Sequence, residues 1–328
     1  VTLTRPLIMR LSFYCVLEVG IEDPDEPKDP ETPHFIPAYS QKVKASKEFQ
    51  TFQFDHSFVL NSLKSSMEGY VFHNQPLDTD DLLEQTVKLF NSCKTSLELF
   101  DMLHNMRAYD DSTHAHSLNV ALICRRIGKW LKVDAATLDT LTLCGLLHDI
   151  GKLKIPDEIL NKPGKYTDEE FDLVKRHTKF GYELLKPLNI DPHIKKAALL
   201  HHERCDGSGY PLKATQKDLD NFSMVVAIAD VYDAMTAARS YRAPLCPFQV
   251  IERFEQEGLQ KYKPKFILTF LQHIASTYQN NRVLLSNGQS ANIVMLNQQH
   301  LARPIVQLND NSCIDLSTRL DLHIQSIL

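Results

Sequence analysis

The reading of this chain turns on His201-His202-Glu203-Arg204-Cys205-Asp206-Gly207-Ser208-Gly209-Tyr210-Pro211. It opens with two adjacent imidazoles and closes in a turn, because Gly207 and Gly209 permit positive φ and Pro211 ends the option of helix. Working outward, His177, His148-Asp149-Ile150-Gly151-Lys152 and His116 lie upstream, and Asp230 lies downstream within Ile228-Ala229-Asp230-Val231-Tyr232-Asp233-Ala234. Each of these histidines and aspartates falls in or at the end of a segment of helical periodicity. One His-Asp pair carries little weight, since 14 histidines give about one such dipeptide by chance. The ordered set is what counts.

Imidazole and carboxylate together suit borderline first-row metals such as Mn, Fe, Co or Zn and disfavour an all-oxygen Mg or Ca site. Neighbouring residues on a helix point about 100° apart, so His148 can hold one ion while the two oxygens of Asp149 bridge to a second. Two ions roughly 3.5 to 4 Å apart suit phosphoester hydrolysis, because a shared water is deprotonated and the leaving oxygen is neutralised. Residue types and spacing alone stop at a two-metal phosphohydrolase.

Composition narrows the partners. The 328 residues carry 36 Lys+Arg against 41 Asp+Glu, a formal charge of −5, which excludes a broadly basic surface for DNA or RNA. Any anionic ligand must meet a local basic patch. Only 11 glycines are present, which disfavours turn-dense all-β folds, and no G-x-G-x-x-G or Walker sequence occurs. The seven cysteines are odd in number, scattered and without a C-x-x-C pair, as expected of a reducing, cytoplasmic location. No membrane span is expected, because Arg10 and Glu18 interrupt the best apolar stretch, Leu7 to Ile21. The chain opens at Val1, which leaves a fragment, a processed chain and an alternative start all open.

Four regions follow. Residues 1–40 read as short strands, Leu7 to Val19, then an acidic linker with five prolines between Glu22 and Pro37. Residues 41–108 read as a helical region: one helix from Gln41 to Asn74, and a second from Thr79 to Met106 with Leu83, Val87, Phe90, Leu97, Phe100 and Leu103 as its stripe and Lys94 interrupting it. That stripe reads as packing on its own core, with a homodimer through the N-terminal helices as the alternative. Residues 109–280 are a succession of helices, one of them started by a capping box at Thr167 and Glu170. Residues 281–328 change to a period of two: a hairpin with a type I′ turn at Asn287-Gly288, then strands at Pro304 to Leu308, Cys313 to Leu316 and Leu322 to Ile327.

The quoted segments, taken in order, closely resemble the HD-GYP family, a branch of the HD metal-dependent phosphohydrolases. The resemblance covers about Asp110 to Asn280, and its H-H-E-x-x-D-G-S-G-Y-P string is specific where the His-Asp pair alone is not. It implies a mainly α fold, an HD-type helical bundle with a helical N-terminal region and a small C-terminal β appendage. It implies hydrolysis of cyclic di-GMP to pGpG and onwards to GMP by a hydroxide that two metals activate. Another cyclic dinucleotide or nucleotide as substrate, and a non-catalytic cyclic di-GMP sensor, are the alternatives.

Carried over position by position, the resemblance makes His116, His148, Asp149, His177, His201, His202 and Asp230 the metal ligands, with Fe or Mn as the two ions. Lys152 matches a lysine on the scissile phosphate, and Gly209, Tyr210 and Pro211 form a rim loop with a role in contacting GGDEF-type proteins. Asp233, Arg239 and Arg242 resemble substrate contacts, and Arg204 reads as a further phosphate or guanine contact. Members with a third metal carry a Glu four residues before the first histidine. Ser112 stands there, so a third metal is not expected. The plainer readings are a helix C-terminal charge for Lys152, a polar neighbour for His114 and an incidental thiol for Cys205.

Overall fold

The computed structural model describes residues 39–106, 112–162, 164–237 and 245–328. The chain divides into two units, Val1–Pro37 and Ala38–Leu328, and the fold is that of the second. The expected strands and proline linker before residue 39 lie outside the described residues, as do Asp110, Asp111, Arg239 and Arg242.

The N-terminal region is helical as expected, with two breaks that local hydrogen bonding explains. Helix α1 (Tyr39–Ala45) stops at Ser46, which caps α2 (Lys47–His73) by accepting the Phe49 N–H at 3.1 Å. The single helix expected over 79–106 is two, α3 (Thr79–Ser92) and α4 (Ser96–Met106), parted where Lys94 interrupts the stripe. There the Thr95 hydroxyl accepts the Glu98 N–H while Glu98 accepts the Lys94 N–H, so a helix start competes with continuation. The buried face of α3 is Leu82, Thr86, Leu89 and Phe90, which leaves the expected Leu83 and Val87 at its margin.

Helices α5 (Thr113–Trp130), α6 (Ala135–Leu147) and α11 (Asn221–Thr236) form the centre of the bundle. Between α5 and α6 the backbones approach closely at Gly145, where a Cβ would sit 2.7 Å from the Ala121 Cα. Between α6 and α11 come a 3₁₀ segment (Ile150–Lys154), α7 (Asp157–Leu160), α8 (Asp168–Lys175), α9 (His177–Leu185) and α10 (Pro192–Leu200). The capping box that starts α8 is formed on both sides, Thr167 to the Glu170 N–H and Glu170 to the Thr167 N–H. Helices α12 (Pro247–Glu257) and α13 (Pro264–Thr277) complete the bundle.

The C-terminal strands β1 (Arg282–Leu285), β2 (Ser290–Met295), β3 (Ile305–Leu308), β4 (Cys313–Asp315) and β5 (Ile324–Ile327) form one antiparallel sheet in the order β4-β3-β2-β1-β5. The hairpin is where the sequence puts it, but its turn is not type I′. Only Gly288 has positive φ, at +82°, and the Leu285 carbonyl accepts the Gly288 N–H at 2.9 Å while the Leu285 N–H reaches the Gln289 carbonyl at 2.8 Å. That is a three-residue loop with a glycine bulge, which spares Asn287 the left-handed conformation. No helix among the described residues is long and apolar enough to cross a membrane.

One hydrophobic core runs through helices and sheet together, from Phe49 and Leu63 through Leu118, Ile123 and Phe270 to Val283, Ile293 and Ile324. Ile293 is fully buried on the sheet face, so Ile293→Ala is expected to cost about 2 to 5 kcal/mol. Because the core is continuous, fluorescence of Trp130 in α5, the sole tryptophan, should shift with the far-ultraviolet circular dichroism in one transition. Separate transitions would mean that the surroundings of Trp130 melt apart from the rest of the helices.

Candidate metal centre

The bundle brings the ordered histidines and aspartates to one place from five elements. His116 lies in the first turn of α5, His148 caps the end of α6, His177 begins α9, His201 ends α10 with His202 beside it, and Asp230 lies within α11. Asp149 leaves the helix after His148, with φ −103° and ψ 9°, and starts the 3₁₀ segment. The expected separation of His148 and Asp149 along one α-helix is therefore replaced by a helix end. Gly151 has a steric reason to be glycine: a Cβ there would collide with the His177 carbonyl, so only glycine lets the segment lie on α9.

Asp149 sits between two groups of candidate ligands. Asp149, His177, His201 and His202 form one group and His116, His148 and Asp149 another, with the atoms of each within 4.8 Å of one another. The Oδ1 atom of Asp149 is 3.3 Å from His177 Nε2 and 3.6 Å from His201 Nε2, while Oδ2 is 3.3 Å from His148 Nε2 and 3.7 Å from His116 Nε2. Asp230 spans the same gap from the other side, 3.0 Å from His116 Nε2 and 3.7 Å from His202 Nδ1.

Backbone carbonyls orient the rings. The Nδ1 atoms of His148, His177 and His201 donate to the carbonyls of Gly145, Val174 and Ala197 at 2.7, 2.6 and 3.0 Å. This fixes the tautomer that leaves each Nε2 lone pair facing the centre, the usual arrangement behind a metal-bound histidine. His177 Nε2 and His201 Nε2 are 3.2 Å apart. His148 Nε2 and Asp149 Oδ1 are buried and make no hydrogen bond. Buried polar atoms are ordinarily paired, so these orphans, with neutral imidazoles converging on a shared carboxylate, fit metal ions.

The electrostatics agree. Burial pushes the pKa of His177 down to about 3 and lowers those of His201 and His202, so all three are neutral near pH 7 and free to ligate. Burial alone would raise Asp149, but the Lys152 ammonium and His148 outweigh it and hold the carboxyl well below its usual range. Burial lowers His116, yet Asp230 and Asp233 prevail and raise it to about 9, so without metal it binds a proton.

The other sequence-predicted residues divide. Lys152 Nζ is 2.5 Å from Asp149 Oδ2 and partly exposed. Asp233 is buried and holds His116 Nδ1 at 2.8 Å, which places it behind a histidine rather than at an open surface. Arg204 donates to the carbonyls of His201 and Glu203. Tyr210 stacks on His202 with ring centroids 4.7 Å apart, and Pro211 follows it at the rim. Gly209 is packed so that a Cβ would come 2.5 Å from the Arg204 nitrogen and the His202 oxygen. Ser112 caps α5 by accepting the Ala115 N–H at 3.2 Å.

Sequence reasoning missed Glu203. Its buried carboxylate accepts the backbone N–H groups of Leu212 and Ala214 at 2.5 and 3.1 Å, clamping the loop that carries Gly209 and Tyr210 over the centre. Its place directly after the two histidines was the available signal.

Comparison with known proteins follows the same outline. The HD domain family model matches residues 81–266, more than half of the chain. A cyclic di-GMP phosphodiesterase of Thermotoga maritima is 36% identical over 178 residues, covering 53% of this chain and 48% of its own length. The 3'3'-cGAMP-specific phosphodiesterase 2 of Vibrio cholerae is 34% identical over 183 residues, covering 55% of this chain and 35% of its own. The chain thus spans about half or less of these relatives. The structure of a HDG"Y"P protein from Bdellovibrio bacteriovorus aligns with a TM-score of 0.56 at 18% identity, covering 70% of this chain and 74% of that one, and supports the fold.

Because the two candidate ligand groups share Asp149 alone, Asp149→Ala should purify with its transition metal lost, by elemental analysis, while His193→Ala, in the first turn of α10 and paired with Asp220 at the end opposite His201, should retain it. Equal metal in Asp149→Ala and the parent would remove Asp149 from the centre.

Proposed function

This chain belongs to the HD domain family, in its HD-GYP type, and we propose that its metal centre hydrolyses cyclic di-GMP to pGpG. The observation that carries the reading is Asp149, one buried carboxylate common to two converging ligand groups. In this reading Asp149, His177, His201 and His202 hold one ion, and His116, His148 and Asp149 the other, with Asp230 contributing from α11. Two ions of Fe or Mn match the nitrogen and oxygen donors, and Ser112, a hydroxyl spent on capping α5, is a poor ligand for a third. Once bound, such ions lower the pKa of a water and offset the charge of the phosphodiester.

The protein's own groups do the rest. The backbone carbonyls behind His148, His177 and His201 keep the rings aimed, so no reorganisation is needed as charge develops. Asp233 holds His116 in the same way. Lys152, on a flexible stem at the mouth of the centre, turns from Asp149 to the scissile phosphate and stabilises its growing charge. Arg204, Gly209, Tyr210 and Pro211, together with Arg239 and Arg242, are assigned to the substrate's surroundings. The catalytic unit is residues 109–280, and the GYP loop is the face offered to GGDEF-type partners. Hydrolysis of 3'3'-cGAMP is the second reading, favoured by relatives named for it at comparable identity.

The test is turnover of cyclic di-GMP, 3'3'-cGAMP and cyclic di-AMP by the metal-loaded chain. Cyclic di-GMP is expected to give the highest kcat/KM, and binding without turnover of any of them would make the chain a sensor. Lys152→Ala should keep its metal and melting temperature while turnover falls by about 10²- to 10³-fold, as when one charge-stabilising donor is removed. Unchanged turnover would return Lys152 to a purely structural role.

A further inference from the structure

Helix α8 carries a residue that neither the fold nor the metal centre explains. Its sequence, Asp-Glu-Glu-Phe-Asp-Leu-Val-Lys, is strongly charged, its one buried residue is Val174, and Phe171 stands in solvent with 44% of its surface exposed. A lone exposed phenylalanine is ordinary. This one continues a series of rings that begins in the metal centre.

His202 stacks on Tyr210 at 4.7 Å and 29°, and Tyr210 meets Phe171 edge to face at 6.5 Å and 75°. These two steps keep the Phe171 ring within about 11 Å of the His202 ring. The Lys175 ammonium lies over the Phe171 ring, 4.4 Å from its centroid, and is paired with Asp172 at 2.8 Å, which sets a cation at the aromatic face. An aromatic face with an adjacent cation, reached from a site that would grip a phosphodiester, is the chemistry that binds unpaired nucleotides: the ring takes the base and the cation takes backbone charge.

We propose that Phe171 is the stacking surface for one purine base of the cyclic dinucleotide, with Lys175 as its neighbouring cation. This rests on the reading of the centre as a cyclic dinucleotide phosphodiesterase and adds to it a binding residue outside both the ligand set and the GYP loop. The base carries the specificity contact while the scissile phosphate stays at the metals, so loss of Phe171 acts on KM rather than on the chemical step.

The experiment compares the manganese-loaded full chain with Phe171→Ala, Phe171→Leu and Phe171→Trp. With cyclic di-GMP, Phe171→Ala is expected to raise KM by about 5- to 150-fold, the range that loss of one base–aromatic stack produces, with kcat within about threefold. Phe171→Leu should be as poor as Phe171→Ala, because an apolar side chain without a π face cannot stack. Phe171→Trp should restore KM, and metal content and melting temperature should match the parent in all three. An unchanged KM in Phe171→Ala, or full rescue by Phe171→Leu, overturns the proposal.

Should the parent turn over no cyclic dinucleotide, the functional reading fails separately, and the decision passes to binding. The indole introduced by Phe171→Trp must then be quenched by cyclic di-GMP, measured against the parent chain, whose sole tryptophan is Trp130. Quenching upholds Phe171 as a base platform, and its absence overturns it.

Discussion

The sharing of one buried carboxylate by two sets of imidazoles is the constraint on which the rest of the structure depends. Asp149 is 1% exposed, ionised, and faces Nε2 atoms on both of its oxygens. Removing a carboxylate from water costs several kcal/mol unless charge and hydrogen bonds compensate it. The Lys152 ammonium compensates part, but Asp149 Oδ1 and His148 Nε2 remain unpaired. The neutral imidazoles of His177, His201 and His202 add no positive charge and His116 adds one only while protonated, whereas divalent cations would satisfy the unpaired atoms, so the centre fits metal ions and is expected to lose stability when emptied.

Much of the bundle can be understood as what it takes to hold that carboxylate in place. His148 and Asp149 lie at a helix end, where the chain changes direction, and His148 Nε2 still comes within 3.3 Å of Asp149 Oδ2. Gly151 then allows the 3₁₀ segment to lie on α9 so that His177 arrives from beneath, and Gly145 brings α5 close enough for His116 to arrive from the side. Each is a position where a single methyl group would push a ligand out of reach. The positions of the ligands are therefore set by backbone packing, and their rotamers by carbonyls one turn away.

How much of this could be read from the sequence follows from the range of the interactions involved. The helical bundle, the capping box at Thr167 and the C-terminal strands were legible because they rest on periodicity and on contacts three or four residues apart. The convergence of His116, His148, Asp149, His177, His201, His202 and Asp230 was legible only through the resemblance, since nothing local to His177 separates it from a solvated histidine. The helix break at Lys94 and the glycine-bulge turn at Gly288 were missed because each depends on backbone hydrogen bonds that composition does not encode. The loop clamp of Glu203 and the hold of Asp233 on His116 were missed for a related reason. Their carboxylates act on a loop backbone and on a ring far away in sequence, and only the folded chain shows those partners.

The position of bound metal relative to Asp149 decides whether one carboxylate serves both ligand groups. Anomalous diffraction from crystals of the metal-loaded chain, collected at the absorption edge of the bound element, measures this. Two peaks roughly 3.5 to 4 Å apart, one bonded to each oxygen of Asp149, are the predicted result. A single peak, or two peaks neither of which is within bonding distance of Asp149, would contradict the shared-carboxylate centre.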